Sequence, residues 1–198
     1  MKIYHYTKSI KLNSIFEDGF IATEMQRTLN SARKKTDVVW LTEKSSYPKT
    51  ALPCIPQFSE TNLITHIQYK GLHVDLDKIG AVLGKFYRFS FDSSDSRIKP
   101  WFYSKERNKL KQNHGWLRME AVANKVGDDV RSFWFSTNQI ELENFGLEVF
   151  DGGWKRVLEN TSISQCNSAV NEIIERIRTE SISKCMEFGI PHSSVVTV

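Results

Sequence analysis

The sequence predicts an α+β fold, and the distribution of apolar residues along the chain supports this in two ways. Short segments rich in aromatic and β-branched residues, which are typical of strands, recur from residue 1 to residue 150. The C-terminal part instead repeats apolar residues at helical spacing, at Val170, Ile173, Ile174 and Ile177. No apolar run approaches the roughly 18–20 residues that a membrane-spanning helix needs. We therefore expect a strand-rich domain that has no membrane partner.

The N-terminal part is predicted to alternate strands with short helical or polar segments. Residues 1–7 predict a strand, and residues 9–17 predict a short helix that Gly19 ends. Residues 24–36 are polar and basic, which favours a loop or a helix lining a site. The apolar run at 38–42 predicts a second strand.

The rest of the chain is predicted to contain further strands, a hairpin and three helices. Asp151-Gly152-Gly153 is a strong turn signal that predicts a hairpin. The predicted elements are a strand or helix at 62–69, strands at 84–91, 132–136 and 147–150, a Lys-rich helix ending near Gln112, and helices at 120–124 and 168–185. We expect one domain at 1–160 and a helical extension at 161–198 packed on it.

Composition favours a globular protein of a reducing compartment. The 198 residues are 40% hydrophobic and 25% charged, as in ordinary soluble domains. The cysteines, Cys54, Cys166 and Cys185, are odd in number and show no Cys-x-x-Cys spacing. A cytoplasmic location is therefore expected. Cys54 is a candidate thiol nucleophile, although a lone cysteine is more often a small buried hydrophobic residue.

The charge distribution permits a nucleic-acid partner or an acidic protein partner. The net charge is +4, and basic residues concentrate at 27–35 and 99–111. Such clusters are either solvated surface or phosphate-binding surface, and they tilt the expected partner towards nucleic acid.

Common motifs for nucleotide and metal chemistry are absent from the sequence. There is no phosphate-binding Gly-x-x-x-x-Gly-Lys-Ser, no Gly-x-Gly-x-x-Gly after a strand and no His-Glu-x-x-His. The five histidines are scattered at spacings that favour no metal site.

His5 is the candidate with the most informative neighbours. In a strand, Tyr4 and Tyr6 point to one face, and His5 and Thr7 point to the other. An imidazole and a hydroxyl can then bind a ribose together. A core histidine bonded to a neighbouring loop is the structural alternative.

Three sequence blocks, taken in order, carry a resemblance to a known family. They are Tyr4-His5-Tyr6-Thr7 with the helix that Gly19 ends, Val39-Trp40-Leu41-Thr42 followed by Tyr47, and residues 133–138 leading to Gly146-Leu147-Glu148-Val149 and Trp154. The chain resembles the ADP-ribosyltransferase superfamily, nearest to its diphtheria-toxin-like, His-Tyr-Glu branch. It is also similar to small toxins of bacterial and phage conflict systems.

The resemblance implies a split central β-sheet with flanking helices and NAD as the cofactor. It implies that His5 binds the adenosine-side ribose, supported by Thr7 and the neighbouring Tyr6. It implies that Trp40 or Tyr47 stacks on nicotinamide, with the Thr42 hydroxyl on the same strand. Glu148 would bind the nicotinamide ribose and stabilise the cationic transition state, together with His5 as the catalytic pair.

Two assignments stay open within that resemblance. Glu141 and Glu143 form a Glu-x-Glu that resembles the arginine-specific branch, so either can replace Glu148 as the catalytic carboxylate. Arg88, on a central predicted strand, can pair with the pyrophosphate through its planar fork or form an ordinary surface salt bridge. The family usually has two tyrosines in its middle motif, whereas this chain has Tyr47 followed by Pro48.

These observations lead to one expected function and two alternatives. The first is NAD-dependent mono-ADP-ribosyl transfer to nucleic acid or protein by a toxin, or by a factor of phage defence or counter-defence, with an antitoxin or inhibitor as a possible partner. The second is a nucleic-acid-binding or nuclease-like toxin that uses His5 as acid or base without NAD. The third is a catalytically inactive inhibitor or adaptor on the same fold.

Overall fold

The computed structural model describes residues 1–23, 38–46, 48, 85–105, 107, 120, 121 and 123–187. The predictions for residues 24–36 and 62–69, for most of the Lys-rich helix and for Tyr47 and Cys54 lie outside these described residues.

The described chain contains short strands, two longer helices, two 3-10 helices at Val130–Ser132 and Ile163–Gln165, and helical residues at 120, 121 and 123–126, where a helix is predicted at 120–124. The longer helices are α1 (Ser9–Asp18) and α2 (Asn167–Glu187). The strands are β1 (Lys2–Lys8), β2 (Phe20–Ile21), β3 (Val39–Thr42), β4 (Phe86–Asp92), β5 (Lys99–Pro100), β6 (Phe133–Ser136), β7 (Ile140–Glu141), β8 (Phe145–Phe150) and β9 (Trp154–Thr161).

Seven strands form one sheet in the order β5-β6-β3-β1-β4-β8-β9, and β2 pairs with β7 in a second, two-stranded sheet. Strand β3 runs antiparallel to both β1 and β6, β5 runs antiparallel to β6, and β8 runs antiparallel to β9. Helices beside a large antiparallel sheet confirm the α+β class. The split sheet expected from the resemblance stays a prediction.

The chain divides into two compact units. The first comprises residues 1–6, 21–74 and 90–140, and the second comprises residues 7–20, 75–89 and 141–198. The predicted division into a domain at 1–160 and an extension at 161–198 stays a prediction.

The first unit has an aromatic core built on β3 and β6. Trp40 lies opposite Phe135 in the register of these strands. Trp101 is fully buried, and its ring meets the Trp40 ring edge-on at 5.1 Å between centroids and the Phe135 ring at 5.4 Å. The indole N–H of Trp101 donates to Oε1 of Glu120 at 2.8 Å. The one polar atom of this buried ring is therefore satisfied.

The second unit packs α1 against the buried face of β4. Leu12, Ile15 and Phe16 recur at spacings of three and four residues, so they share the buried side of α1. The Phe16 ring meets Phe89 of β4 at 5.9 Å between centroids. Gly19 ends α1 in the left-handed region, at φ 76°, where its N–H donates to the Ile15 carbonyl at 3.0 Å.

The predicted hairpin is confirmed by β8 and β9. Asp151, Gly152 and Gly153 form the turn, with Gly152 at φ 63°. The turn sets Phe150 directly opposite Trp154 and Glu148 opposite Arg156. Strand β8 carries register irregularities on either side of Leu147. Such irregularities re-aim side chains locally, and Glu148 follows the second one.

Candidate functional site

A buried ion pair lies at the centre of the candidate site in the second unit. Strand β4 supplies Arg88, which is 5% exposed, and the adjacent β8 supplies Glu148, whose side chain is 16% exposed. Arg88 donates from Nε to Oε2 of Glu148. The pair brings together two residues that the sequence predicts for the site, one from each of two neighbouring strands.

An aromatic wall flanks this ion pair. The Trp154 ring lies 4.3 Å from the guanidinium carbon of Arg88, in cation–π contact. The Phe150 and Trp154 rings meet edge-on, with 5.3 Å between their centroids. Phe150 shares the face of Glu148 on β8, because residues two apart on a strand point the same way.

Neither Phe150 nor Trp154 is among the site residues that the sequence predicts. A usable signal is nevertheless present in the Asp-Gly-Gly turn. A three-residue turn places the residues that flank it opposite each other, so the sequence already pairs Phe150 with Trp154.

The ion pair leaves one carboxylate oxygen for a ligand. Oε2 of Glu148 accepts from Arg88, and Oε1 has no hydrogen-bond partner among the described residues. Burial makes this arrangement costly to disrupt, because either charge left alone would be poorly solvated. The site thus presents an oriented, partly dehydrated carboxylate beside two aromatic rings.

The two alternative glutamates have a different environment. Glu141, on β7, and Glu143, in the following turn, are both exposed, whereas Glu148 is mostly buried. Water screens an exposed carboxylate, so it interacts weakly with a charge that develops on a substrate. The geometry therefore favours Glu148 among the three candidates.

His5 lies on β1 in the first unit, with its ring half-buried. Its Nδ1 is 2.9 Å from the Trp40 carbonyl oxygen. A carbonyl oxygen only accepts, so Nδ1 must carry the hydrogen and Nε2 of the neutral ring must be an acceptor. Burial lowers the pKa of His5 below its ordinary value, and the bond to Trp40 raises it by a smaller amount. His5 is therefore a neutral ring with an acceptor nitrogen.

The neighbouring predicted residues of the first unit make structural contacts. The Tyr6 hydroxyl donates to the Lys44 carbonyl at 2.8 Å, which fixes the segment after β3. The buried Thr42 hydroxyl donates to the Ser132 carbonyl at 3.1 Å and accepts from the Lys44 N–H at 3.2 Å. The Trp40 ring packs against the buried core. Their cofactor-binding roles stay predictions.

The faces predicted for β1 are confirmed in part. The Tyr4 and Tyr6 ring centroids lie 6.3 Å apart, so the two rings share a side of the strand. Both rings are half-buried rather than fully buried in a core. Thr7 is likewise half-buried, in the portion of β1 that belongs to the second unit.

Metal and thiol chemistry find no support among the described residues. Within that part of the chain, no group of three or more His, Cys, Asp or Glu side chains is placed to hold a metal ion. Cys166 is a buried free thiol, and burial raises its pKa, which makes the thiolate harder to form.

Comparison of the chain with protein-family models, with curated proteins and with solved structures finds no match. Its function is consequently inferred from the residues and their geometry. Over the described residues, no helix combines the length and the apolar character needed to cross a bilayer.

Proposed function

We propose that this protein is an NAD-dependent mono-ADP-ribosyltransferase that modifies a macromolecule, with Glu148 as its catalytic carboxylate. The observation that carries the proposal is the Arg88–Glu148 ion pair, which fixes a partly buried carboxylate beside Trp154. The three sequence blocks that resemble the superfamily provide independent support. The biological role proposed on the same basis is that of a toxin or of a factor in phage conflict.

The proposed reaction exchanges one bond to the ribose for another. The bond between the ribose C1′ and the nicotinamide nitrogen breaks, and nicotinamide leaves with the electron pair. An O–H or N–H group of the acceptor forms the new bond at C1′ and releases its proton. Positive charge accumulates on the ribose between these events, as in glycoside cleavage.

Glu148 would stabilise that charge through the carboxylate oxygen that Arg88 leaves available. A fixed negative group in a partly dry site acts strongly because little water screens it and because no reorganisation is needed. Arg88 would act as a positioning residue, since it holds the other oxygen. Phe150 and Trp154 would supply apolar surface for the flat nicotinamide ring.

His5, considered within its own unit, carries a group of the kind that an NAD ribose needs. Nε2 of His5, as an acceptor, is suited to a ribose hydroxyl, which donates. The lowered pKa of His5 keeps that nitrogen unprotonated at neutral pH. It also argues against a nuclease-like mechanism in which His5 acts as a general acid, because an acid must hold its proton at working pH.

The proposal is tested with radiolabelled NAD and cell lysate, followed by separate nuclease and protease digestion of the labelled product. The expected result is label in a macromolecule with release of nicotinamide. Glu148→Gln should lose both, while Glu141→Gln and Glu143→Gln, at exposed sites, should retain them. Circular dichroism checks that each variant is folded. Label transfer that survives in a folded Glu148→Gln variant would overturn the assignment, and no turnover of NAD by the wild type would overturn the function.

A further inference from the structure

Two adjacent aromatic side chains of the first unit are presented to solvent. Phe102 is 37% exposed and Tyr103 is 75% exposed, and with Met1 they are the exposed large hydrophobic side chains of the described chain. Their rings meet edge-on, with 5.3 Å between centroids. Two adjacent exposed rings offer apolar faces on which a flat group of a partner can stack.

Basic side chains lie near these rings in the sequence and in the fold. The Arg107 guanidinium carbon lies 4.4 Å from the centre of the Phe102 ring. Arg131 is exposed two residues before Phe133, whose carbonyl accepts from the Trp101 N–H. Lys105 is exposed in the same segment as the two rings. Two acidic side chains are nearby, Glu120 and Asp129, and each is held in an ion pair with one of the arginines.

The backbone beneath the rings is anchored. The Trp101 N–H donates to the Phe133 carbonyl at 2.8 Å, and the Ser104 N–H donates to the Trp101 carbonyl at 3.2 Å. Trp101, the residue that precedes Phe102, has a fully buried side chain. Phe102 and Tyr103 are therefore carried by a fixed turn, which reduces the entropy lost when they bind a partner.

We propose that this surface, formed by Phe102, Tyr103, Lys105 and Arg131, binds single-stranded nucleic acid, with Arg107 and Glu120 holding Phe102 in place from below. Aromatic rings interleaved with cations match the alternation of bases and phosphates, and stacking requires bases that are not already paired. Sequence charge agrees, since residues 105–111 contain Lys105, Arg107, Lys109 and Lys111 against the single acid Glu106. An acidic protein would use the cations but would leave the exposed rings unexplained.

The inference goes beyond the proposed function, because binding of nucleic acid at this surface does not require NAD. Binding is therefore measured on the full chain without NAD, by fluorescence anisotropy of labelled oligo-dT and oligo-U of about twelve nucleotides, a length within the range of known single-strand sites.

The expected result is salt-sensitive binding that depends on the Tyr103 ring. Tyr103→Ala and Tyr103→Leu should each weaken binding by about tenfold, because leucine keeps apolar bulk but cannot stack. Lys105→Ala should reduce the slope of log affinity against log salt by about 0.7, as expected for loss of one phosphate contact. Lys11→Ala, at an exposed lysine of the second unit, serves as the charge-matched control and should change neither quantity.

Two results would overturn the inference. One is a wild-type protein that binds neither oligonucleotide or that prefers a poly-glutamate peptide, which would indicate an acidic protein partner. The other is unchanged affinity in folded Tyr103 variants. Glu148→Gln should bind the oligonucleotides like the wild type, so loss of NAD chemistry and loss of nucleic-acid binding are scored separately.

Discussion

At the scale of single residues, the proposed chemistry depends on a charged side chain, Glu148, that is mostly buried and paired with Arg88. The sequence predicted Arg88 and Glu148 as separate site residues, and it left Arg88 open between a pyrophosphate contact and a surface salt bridge. Their contact was not predictable, because strands β4 and β8 are separated by more than fifty residues of chain and pair only in the folded sheet. The hydrogen bond of His5 to the Trp40 carbonyl was not predictable either, because β1 and β3 also pair only in the folded sheet.

We expect Arg88→Met to lower the free energy of unfolding by about 3 kcal/mol, because it leaves the Glu148 carboxylate mostly buried without its partner. Replacing both residues, as Arg88→Met with Glu148→Leu, should recover most of that loss. Urea denaturation of the two single variants and the double variant measures the coupling. Additive losses would show that the two side chains do not act as a pair.

Lys8 provides a residue-scale prediction about pH. Burial, and to a smaller extent the nearby Lys11, lowers the pKa of Lys8 from 10.5 to about 8. Between these values the unfolded chain holds a proton that the folded chain has released, so this residue makes stability rise with pH across that window. Below pH 8 the folded protein must carry the charge in a partly buried position.

Lys8→Met should therefore stabilise the protein at pH 7 by about 2 kcal/mol, a value reduced from the full shift to allow for partial solvation. The advantage should shrink between pH 8 and pH 10.5 as the wild type loses its charge. Denaturation curves of both proteins across this range measure the difference. Lys2→Met, at an exposed position, should show no such pH dependence.

At the scale of elements, the sequence correctly predicted those helices and turns whose structure depends on residues close together in the chain. The helix predicted at 9–17 is confirmed as Ser9–Asp18, and the C-terminal helix predicted at 168–185 is confirmed as Asn167–Glu187. The Asp-Gly-Gly hairpin is also confirmed. The register irregularities in β8 were not predictable, since they depend on pairing across strands rather than on neighbouring residues.

Gly19 tests the end of α1. Gly19→Ala should lower the free energy of unfolding by about 1 kcal/mol, because alanine strains the left-handed backbone at φ 76°. A Cβ there would meet only Ile163 Cγ2, at 4.0 Å, so the cost lies in the backbone rather than in a clash. Gly153→Ala, where a Cβ meets nothing within 4 Å and no positive φ is required, is the control and should be nearly neutral in urea denaturation.

At the scale of the whole molecule, composition and the spacing of apolar residues predicted the α+β class. They did not predict the sheet order β5-β6-β3-β1-β4-β8-β9. That order joins strands that are distant along the chain, and a single sequence contains no record of which distant strands pair. The same limit applies to function. Residue types suggested ribose and carboxylate chemistry, whereas the aromatic wall of Phe150 and Trp154 emerged only from the folded hairpin.

Binding of NAD should be visible as stabilisation of the folded molecule. At an NAD concentration about 100-fold above Kd, the free energy of unfolding should rise by about 2.7 kcal/mol, which corresponds to roughly 5–10 °C in Tm for a chain of this size. Glu148→Gln should keep most of the shift, whereas His5→Ala should keep little more than half of it, because loss of one hydrogen bond of about 1 kcal/mol weakens binding several-fold. A shift of the same size in His5→Ala, measured by thermal unfolding with and without NAD, would remove His5 from the proposed binding site.

The rate of nicotinamide release from NAD tests the central claim most directly. Purified wild type should release nicotinamide, with Glu141→Gln and Glu143→Gln within a few-fold of it, while folded Glu148→Gln should fall by about a hundredfold or more, as when a preorganised charge-stabilising group is removed. A folded Glu148→Gln variant that keeps the wild-type rate, or a collapse of the rate in Glu141→Gln or Glu143→Gln instead, would contradict the account.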